Sequence, residues 1–373
     1  MSLVVMKFGG SSVADADRIK NVSKRVIARR KAGDKVVVVV SAPGDMTDDL
    51  INLAAGVTDD PDDREMDMLL STGGSRSRSR SCPWPSSTRA WTRCPSPGPQ
   101  AGIFADLAHT RARITRIRPV KLLKELSKGR IVIVAGFQGM NTRRDIVTLG
   151  RGGSDLTAVA LAAVLRADVC EIYTDVKGVY TTDPRIVPEA RKLDQIYYDE
   201  MLELAGAGAQ VMQARSIEVG KKYDVPIHVR SSFTDEEGTM ITGEVPSMEE
   251  VVVSGVAFDR NQAKVTMIDV PDRPGVAAKL FGPLGEEGIN VDMIIQSAPR
   301  DGANDISFTV PRTEVKKTLF VLERVKENLK AREVLCDTSV AKISIVGVGM
   351  RSHAGGSRPS SSRPWPTTAS TST

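Results

Sequence analysis

Up to about residue 240, continuous apolar runs alternate with segments whose apolar residues recur at helical spacing. The runs LVVMKF, KVVVVVS, RIVIVAG and DVCEIYT are typical of strands buried inside a parallel sheet. Between the first two runs, the spacing of apolar residues predicts a helix that stops near Gly33. SDLTAVALAAVLRAD predicts another helix, with Ser154 or Asp155 as its N-cap. The alternation predicts an α/β domain with a mainly parallel sheet.

The pattern changes after about residue 245. Six segments, from AKVTMIDV to REVLCDT, follow in the order strand, helix, strand, strand, helix, strand. This is the order of the ferredoxin-like βαββαβ unit. We therefore predict a first domain over 1–240, a linker over 241–250 and a ferredoxin-like domain over 251–340. Residues 341–353 have the pattern of the start of a second such unit.

Two segments, 73–99 and 354–373, break this regular pattern. The first contains GGSRSRSRSCPWPSSTRAWTRCPSPG, and the two segments together hold all three tryptophans of the chain. They carry seven arginines and no acidic residue, and subtracting these charges from the net charge of +5 leaves −2. The basic character therefore belongs to these aberrant segments. A disordered linker, a nucleic-acid-binding arm and an unintended sequence are all open interpretations of the first one.

The rest of the composition excludes several classes of protein. Hydrophobic residues make up 41% and charged residues 26% of the chain, as in ordinary globular proteins. The N-terminus lacks the basic start and apolar core of a secretory signal, and no apolar run is long enough to cross a bilayer. The four cysteines form no CxxC pair and match no zinc spacing. We predict a cytoplasmic protein with no membrane contact, no disulfide scaffold and no protein-held metal ion.

Two glycine-rich turns each follow a predicted strand and open a helix. In KFGGSS (7–12), backbone amides and a lysine favour a bound anion. In TLGRGGSD (148–155), an arginine that grips a carboxylate or phosphate with two donors precedes paired glycines. Taken alone, either turn is equally a structural connection, and Asp155 is equally a helix cap. Two such turns in one sheet favour ligand binding, because open α/β sheets bind ligands at the carboxyl ends of their strands.

Three further turns carry candidate binding groups. In YTDVKGVYTTDPR (173–185), the spacing of the polar side chains suits the binding of a ribose and phosphates. The alternative interpretation is a polar hairpin without a ligand. VVSAPGDMT (39–47) offers Ser41 and Thr47 to a small polar substrate, or is a plain turn. In VPDRPGVAAKLFGPL (270–284), free backbone amides at a helix N-terminus can bind the carboxylate of an amino acid. The alternative interpretation is a structural turn.

Several catalytic patterns are missing from the sequence. It contains no GxxxxGK[ST] phosphate loop, no HExxH motif and no protein-kinase signature set. The histidines are His109, His228 and His353, and none lies in a known nucleophile pattern. We interpret His228, within VPIHVRSSF, as an ordinary strand residue.

Taken in order, KFGGSSV, VVSAPGD, IVAGFQG, TLGRGGSD, EIYTDVKGVYTTDPR and IHVRSSF resemble the aspartate kinase family. The resemblance covers nearly everything outside the two aberrant segments. PDRPGVAAKLF followed by GINVDMIIQ is similar to the regulatory ACT domain of that family. The resemblance implies a three-layer αβα amino-acid-kinase domain followed by two ferredoxin-like ACT domains, of which the second is truncated here.

The resemblance also implies an activity. Aspartate kinases use ATP to phosphorylate the β-carboxylate of L-aspartate to 4-phospho-L-aspartate, the first step of lysine, threonine and methionine biosynthesis, under feedback regulation by lysine and threonine. Mg²⁺ would be carried by the ATP phosphates. A carboxylate acceptor is already ionised at neutral pH, so the reaction requires positioning and charge neutralisation but no strong general base. A homo-oligomer or an α/β oligomer formed through ACT domains is expected.

Residue roles are carried over by motif. Lys7 would stabilise the transferring phosphoryl group, Asp155 would orient Lys7 or the acceptor, and Arg151 would hold a carboxylate of aspartate. The implied ATP contacts are Lys7, Phe8, Gly9, Gly10, Thr174, Asp175, Tyr180, Asp183 and Arg185. The implied aspartate contacts are Ser41, Thr47, Arg151, Gly152, Gly153 and Ser154. The implied effector contacts are Pro274, Gly275, Val276, Ala277, Asp292, Met293 and Ile294.

The chain departs from the family pattern at residue 74. The family has LLSTGER followed by an apolar helix, and its acidic residue contacts aspartate, whereas this chain has LLSTGGSRSRS with Gly74. Codons permitted for Ser75–Ser86, read one base out of frame, encode Ile-Ala-Ile-Ser-Ile-Ala-Leu-Leu-Ser-Met-Ala-Ile, an apolar helix of the expected kind. A shifted frame of 354–373 likewise encodes an ACT-like helix and strand. We therefore hypothesise two disturbances of the reading frame.

Loss of the apolar helix is expected to lower both stability and activity. Each large aliphatic side chain that is no longer buried removes about 1.5–3 kcal/mol of stabilisation. The alternative functions are a damaged chain that retains only ACT-type effector binding, and a sister amino-acid kinase with another acceptor. An arginine–serine arm that binds RNA is the rival interpretation of 73–99. Apart from that rival, no nucleic-acid partner is expected.

Overall fold

The computed structural model describes residues 2–58, 61–72, 93–96, 98–209, 211–243, 254–300 and 302–347. The chain divides into two compact units. The first comprises Met1–Ala205, Gln210–Gly255 and the described residues from Ile345, and the second comprises Gly206–Ala209 and Val256–Ser344. Among the described residues, no helix has the length and apolar character needed to cross a bilayer.

The first unit alternates strands and helices. Its strands are β1 (Leu3–Phe8), β2 (Lys35–Val40), β3 (Arg93–Ser96), β4 (Ile103–Ala105), β5 (Ile114–Ile117), β6 (Ile131–Ala135), β7 (Gln138–Met140), β8 (Ile146–Thr148), β9 (Val169–Thr174), β10 (Gln195–Tyr197), β11 (Ile227–Ser231) and β12 (Thr239–Thr242). The helices in this part of the chain are α1 (Ala16–Lys31), α2 (Met46–Ala55), α3 (Asp63–Leu70), α4 (Val120–Ser127), α5 (Gly153–Leu165), α6 (Tyr198–Gly206) and α7 (Ala214–Tyr223).

An eight-stranded sheet runs through this unit in the order β10-β12-β11-β9-β1-β2-β6-β3. Every neighbouring pair is parallel except β11 and β12. The mainly parallel sheet predicted from the apolar runs is therefore confirmed. A separate four-stranded sheet has the order β5-β4-β7-β8.

Helix α1 shows how the sequence builds the layers. The carboxylate of Asp15 accepts a hydrogen bond of 2.8 Å from the Arg18 amide and caps the helix start. The apolar face of α1, including Ile19 and Val26, packs against β1 and β2 in one buried cluster. The chain leaves the helix through Gly33, whose φ of 99° suits glycine.

The start of α5 differs from the prediction. Its N-cap is Gly152, with a φ of 73°, so Ser154 and Asp155 lie inside the first helical turn. The prediction that one of them is the N-cap is therefore wrong. The left-handed conformation of Gly150 and Gly152 turns the chain into the helix two residues earlier than a side-chain cap would.

The predicted linker also begins too early. β12 ends at Thr242 and lies between β10 and β11 in the large sheet, with Thr239 and Ile241 fully buried. Residues 241–242 therefore belong to the sheet and not to a linker. Residues 244–250 lie outside the described residues.

The first aberrant segment contains one described strand. Of residues 73–99, the structure describes 93–96 and 98–99, and 93–96 form β3, which pairs in parallel with β6 from Arg93 opposite Ile131 to Ser96 opposite Val134. The prediction of disorder is therefore wrong for these four residues, since β3 is an edge strand of the sheet. The remainder of this segment, and all of 354–373, lies outside the described residues.

The second unit contains the predicted βαββαβ order as β14 (Gln262–Pro271), α8 (Val276–Glu286), β15 (Asp292–Gln296), β16 (Ala303–Pro311), α9 (Val315–Leu329) and β17 (Glu333–Asp337). Two further strands flank this run, β13 (Gly255–Asp259) before it and β18 (Lys342–Val346) after it, and both include residues assigned to the first unit. Four of these strands form an antiparallel sheet in the order β15-β16-β14-β17, which is the ferredoxin-like arrangement. β13 pairs separately with β18.

The core of the second unit lies between its sheet and its two helices. Leu280, Leu322 and Phe308 are buried there in one cluster. Replacing Leu322 with alanine is expected to lower the free energy of unfolding of this unit by about 2–5 kcal/mol, because it leaves a cavity in a close-packed core. Urea unfolding followed by circular dichroism would measure the loss. Replacing the exposed Phe320 of the same helix with alanine is the control, and an equal loss there would contradict the assignment of this core.

Candidate active site

The carboxyl ends of the central strands meet at one edge of the large sheet. Phe8 at the end of β1 lies opposite Val40 of β2 and Tyr173 of β9, and Val40 lies opposite Ala135 of β6. The turns that follow these strands therefore lie side by side. This register gathers the candidate residues of KFGGSS, VVSAPGD and YTDVKG, which are far apart in sequence.

Lys7 and Asp155 form a buried ion pair at this edge. The Lys7 Nζ lies 2.6 Å from a carboxylate oxygen of Asp155, and the two residues are only 9% and 7% exposed. Lys7 comes from β1, and Asp155 comes from the first turn of α5. A paired carboxylate compensates the cost of burying the ammonium group and fixes its direction. The two residues predicted to act together are thus in direct contact.

The turn after β1 packs backbone to backbone against the turn after β2. The Gly9 amide donates to the Tyr173 carbonyl at 3.2 Å, and the Gly44 amide donates to the Gly10 carbonyl at 3.0 Å. A Cβ atom on Gly10 would lie 2.7 Å from the Gly44 carbonyl oxygen, closer than real contacts allow. Glycine is therefore required at this position for the two turns to approach. The Ser41 amide donates to the Phe8 carbonyl at 3.1 Å, which places Ser41 at the same edge.

Arg151 projects from the turn between β8 and α5. Its side chain is 85% exposed, and one guanidinium nitrogen lies 2.6 Å from a carboxylate oxygen of Asp48 in α2. Because Thr47 immediately precedes Asp48, this contact brings the two predicted substrate turns together. Exposed ion pairs contribute little stability. A substrate carboxylate can therefore replace Asp48 on the guanidinium at little energetic cost.

The paired glycines before α5 allow close packing around this turn. A Cβ atom on Gly152 would lie 2.8 Å from the Gln213 Cβ, and one on Gly153 would lie 2.8 Å from the Leu149 Cβ. Ser154 is buried beneath the turn after β6, where a Cβ atom on Gly136 would lie 2.9 Å from its hydroxyl oxygen. Ser154 therefore lies at the sheet edge together with Asp155.

The predicted nucleotide contacts are divided between the surface and the core. Asp183 accepts hydrogen bonds from the Arg185 guanidinium at 2.8–3.2 Å, and this contact raises the pKa of Arg185. The Thr174 hydroxyl donates to Asp175 at 3.0 Å. Tyr180 forms an isolated antiparallel bridge with Lys192. Thr174 is the last residue of β9, and Asp175, Tyr180, Asp183 and Arg185 follow it in the chain.

Phe8 occupies a different environment from the other predicted nucleotide contacts. Its ring is fully buried and stacks on Tyr173, with 4.7 Å between the ring centroids. Its carbonyl already accepts from Ser41. The structure therefore places Phe8 in the core as a support for the turn, and not as a side chain that reaches a ligand.

Two fully buried carboxylates, Glu171 and Asp67, escaped the sequence analysis. Glu171 in β9 pairs with Arg29, lies 3.6 Å from an Arg230 guanidinium nitrogen and accepts from the Tyr173 hydroxyl at 3.1 Å. Burial, reinforced by the Glu171 charge, raises the pKa of Tyr173 to about 12. The sequence signal for Glu171 is an acidic side chain inside an otherwise apolar strand, whereas Asp67 lies in the charged segment DREMDMLL and gives no such signal.

The predicted effector contacts lie in the second unit. Gly275, with a φ of 87°, is the N-cap of α8. Asp292 accepts from Lys342 Nζ at 2.5 Å and from the Met293 amide at 2.9 Å, and these contacts lower the pKa of Asp292. Met293 and Ile294 are exposed on β15, the edge strand of the antiparallel sheet. The lysine on the Asp292 carboxylate is a partner that the sequence analysis did not anticipate.

His228 lies in β11, opposite Glu171 of β9 and Met240 of β12. Burial, together with the charge of Arg230, lowers the pKa of His228. Below about pH 6.5 the unfolded chain binds a proton that the folded chain resists, so stability should fall as the pH decreases. We expect His228→Gln to lose less stability than the parent between about pH 7.5 and pH 5 in urea unfolding. Turnover should stay within about twofold of the parent, and a larger loss would contradict the interpretation of His228 as an ordinary strand residue.

Comparison with known proteins identifies the family. Residues 2–231 match the model of the amino acid kinase family, and residues 264–330 match the model of the ACT domain. The aspartate kinase of Pseudomonas putida is 49% identical over 364 residues, which cover 95% of this chain and 86% of that protein. This chain belongs to the aspartate kinase family. The resemblance drawn from the ordered motifs is therefore confirmed.

Solved structures of aspartate kinases share the fold. The aspartate kinase of Synechocystis is 42% identical with a TM-score of 0.57, and the match covers 94% of this chain but only 61% of that chain, less than two thirds of its length. E. coli aspartokinase III in complex with lysine and aspartate is 26% identical with a TM-score of 0.71, covering 92% and 87% of the two chains. In complex with aspartate and ADP, the E. coli enzyme gives a TM-score of 0.78 at 24% identity, covering 95% and 89%, which supports the fold alone.

Proposed function

We propose that this aspartate kinase transfers the γ-phosphoryl group of ATP to the β-carboxylate of L-aspartate at the edge where β1, β2, β6 and β9 end. The Lys7–Asp155 pair is the observation that carries the proposal. It places one buried ammonium group, held at 2.6 Å by a carboxylate, beside the Gly9–Gly10 turn. Transfer between two anions requires such a fixed positive charge more than it requires a base.

In this mechanism the nucleotide and the acceptor approach from different turns. The turn that follows β1 receives the phosphates through backbone amides other than that of Gly9, which is bonded to the Tyr173 carbonyl. The residues after β9 hold the nucleotide, with Arg185 as its exposed cation.

Arg151 exchanges Asp48 for a carboxylate of aspartate and orients the other carboxylate towards the γ-phosphorus. Lys7 neutralises the charge that develops on the transferring group, and Asp155 keeps Lys7 in place. Mg²⁺ carried by the ATP phosphates would supply further charge neutralisation.

Trapping the product with hydroxylamine tests the proposal. Incubation of the full chain with ATP, Mg²⁺, aspartate and hydroxylamine should yield aspartyl hydroxamate, because an acyl phosphate reacts with hydroxylamine. Parallel incubations replace aspartate with glutamate or acetylglutamate, whose acyl phosphates hydroxylamine also traps, or with UMP, whose phosphorylation is followed as ADP formation because it yields no acyl phosphate. Product with aspartate alone supports the proposed acceptor. Phosphorylation of only one of the other acceptors would show instead that the chain is a sister kinase with that acceptor as its substrate.

We further propose that the second unit binds lysine or threonine and that the chain assembles through this unit. Support comes from the ACT match at 264–330 and from the E. coli aspartokinase III complex with lysine. Calorimetric titration with each amino acid measures binding. Feedback inhibition should appear as a fall in hydroxamate yield with the amino acid that binds. Binding of an amino acid without any fall in hydroxamate yield would show that the effector site does not control the kinase reaction.

A chain that only binds effectors is the second candidate function. It is favoured by Gly74, which stands where the family has an acidic residue that contacts aspartate. Effector binding in calorimetry without hydroxamate formation would establish it. A fresh read of the coding DNA across codons 70–102, and from codon 350 onward, would then decide between a frame disturbance and a chain altered in function.

A further inference from the structure

Asp67 of α3 is a fully buried carboxylate with no role in the mechanism above. One of its oxygens accepts from the Thr148 amide at 3.0 Å, the Thr148 hydroxyl at 2.5 Å and the Thr110 amide at 3.1 Å. The other oxygen lies 2.6 Å from His109 Nδ1. Because an ionised carboxylate only accepts hydrogen bonds, His109 Nδ1 carries the hydrogen in this contact. Four donors from two segments thus converge on a single side chain.

This arrangement ties together parts of the chain that are distant in sequence. Thr148 is the last residue of β8 and the first residue of the TLGRGGSD turn. His109 and Thr110 belong to the connection between β4 and β5. The next residue of the turn, Leu149, is held from α7, where Arg215 donates to its carbonyl at 2.9 Å. Arg215 also donates to the carbonyl of Ala112, in the connection between β4 and β5, at 2.8 Å.

Among the described residues, Arg151 is held only at its backbone and by an exposed ion pair. The Gln213 side chain donates to the Arg151 carbonyl at 2.8 Å, and the guanidinium contacts Asp48 at the surface. The position of the guanidinium therefore depends on how rigidly the turn is fixed at its start.

Thr148, at the start of the turn, also pairs with β7 and accepts from the Ala112 amide at 2.9 Å. The Leu149 amide donates to the Phe137 carbonyl at 2.9 Å. Asp67 adds the side-chain anchor at this point, because it holds both the amide and the hydroxyl of Thr148.

We propose that Asp67 is a positioning residue for aspartate binding, acting through Thr148 on the turn that carries Arg151. The proposal rests on the proposed function of Arg151. Loss of the anchor lets the turn shift, and a displacement of about 1 Å in a binding group is enough to weaken catalysis about 100-fold. The nucleotide turns after β1 and β9 have no contact with Asp67 among the described hydrogen bonds, so ATP binding should be spared.

Asp67→Asn is the first test, because asparagine keeps the shape but replaces the charged acceptor of the Thr148 and Thr110 hydrogen bonds with a weaker, neutral amide oxygen. We expect KM for aspartate to rise at least about 10-fold while KM for ATP stays within about twofold. Glu200→Gln is the matched control. Glu200 is also a buried carboxylate, and it accepts from the Tyr197 amide at 3.2 Å and from the Ser254 hydroxyl, away from the turn. The control should lower stability without changing KM for aspartate.

Thr148→Val gives an independent variant that removes only the hydroxyl donor. If both changes act through the same contact, the double variant should raise KM for aspartate by clearly less than the product of the two single effects. Equal increases in the KM values for ATP and aspartate, or a double variant that equals this product, would overturn the proposal.

Hydrogen exchange tests the anchor without turnover. In Asp67→Asn, amides of residues 148–152 should exchange at least about 10-fold faster than in the parent, while β1 and β2 should not change. Unchanged exchange at 148–152 would overturn the proposal even if turnover falls. If the parent forms no aspartyl hydroxamate, the proposed function is wrong. Hydrogen exchange of the backbone amides and calorimetric binding of aspartate, which need no turnover, still decide whether Asp67 fixes the turn.

Discussion

Replacing Lys7 with methionine is expected to lower kcat for aspartyl phosphate formation by about 10²–10³-fold, equivalent to about 2.7–4 kcal/mol of transition-state stabilisation. Methionine keeps the unbranched shape and most of the length of the side chain but removes the charge that lies beside the phosphate turn. The hydroxamate assay at saturating ATP and aspartate measures the effect. Because Lys7 is only 9% exposed, the same change also leaves the buried Asp155 without its partner.

The double variant Lys7→Met with Asp155→Asn separates chemistry from stability. Removing one partner of a buried ion pair costs about 3–5 kcal/mol, whereas removing both charges is often close to neutral. We therefore expect the double variant to regain most of the stability that Lys7→Met loses, as measured by urea unfolding, while kcat stays low. Recovery of kcat together with stability would show that the pair is structural and would remove Lys7 from the mechanism.

The meeting of the turns after β1, β2 and β9 could be predicted from sequence, because turns that follow strands of one parallel sheet meet at its carboxyl edge whatever the loop lengths. The turn that carries Arg151 and Asp155 was expected in the same sheet, and that expectation is wrong, because the turn follows β8 of the separate four-stranded sheet. Helix α5, which packs against β1 and β9, brings Asp155 to Lys7. The exact partners of Arg151 and Arg185 could not be predicted in this way, because exposed side chains take partners that depend on loop conformation.

The buried carboxylates show the limit of reading local patterns. Asp67 and Thr148 are 81 residues apart, and Arg29 and Glu171 are 142 residues apart. Nothing local in either segment specifies such a partner. The prediction of disorder is wrong at β3 for another reason. β3 lies in an arginine-rich segment, but it pairs with β6 through backbone atoms. Its Pro95 is tolerated because the strand is at the edge of the sheet.

Arg151→Gln is expected to raise KM for aspartate by at least about 100-fold while KM for ATP changes by less than about threefold. Two charge-assisted hydrogen bonds to a substrate carboxylate, at about 1.5–3 kcal/mol each, account for this loss. Folding should be unaffected, because the side chain is 85% exposed. Arg151→Lys should give an intermediate KM, since it keeps the charge but loses the planar pair of donors.

Arg185→Gln is the matched control for Arg151→Gln. Arg185 is similarly exposed, at 81%, and is also paired with a single aspartate, but it lies among the residues after β9. It should raise KM for ATP and leave KM for aspartate within about threefold of the parent. The two variants together therefore assign each arginine to one substrate. A rise in the KM for aspartate in both would mean that the turns after β8 and β9 serve one common site, and the separate approach of nucleotide and acceptor would be wrong.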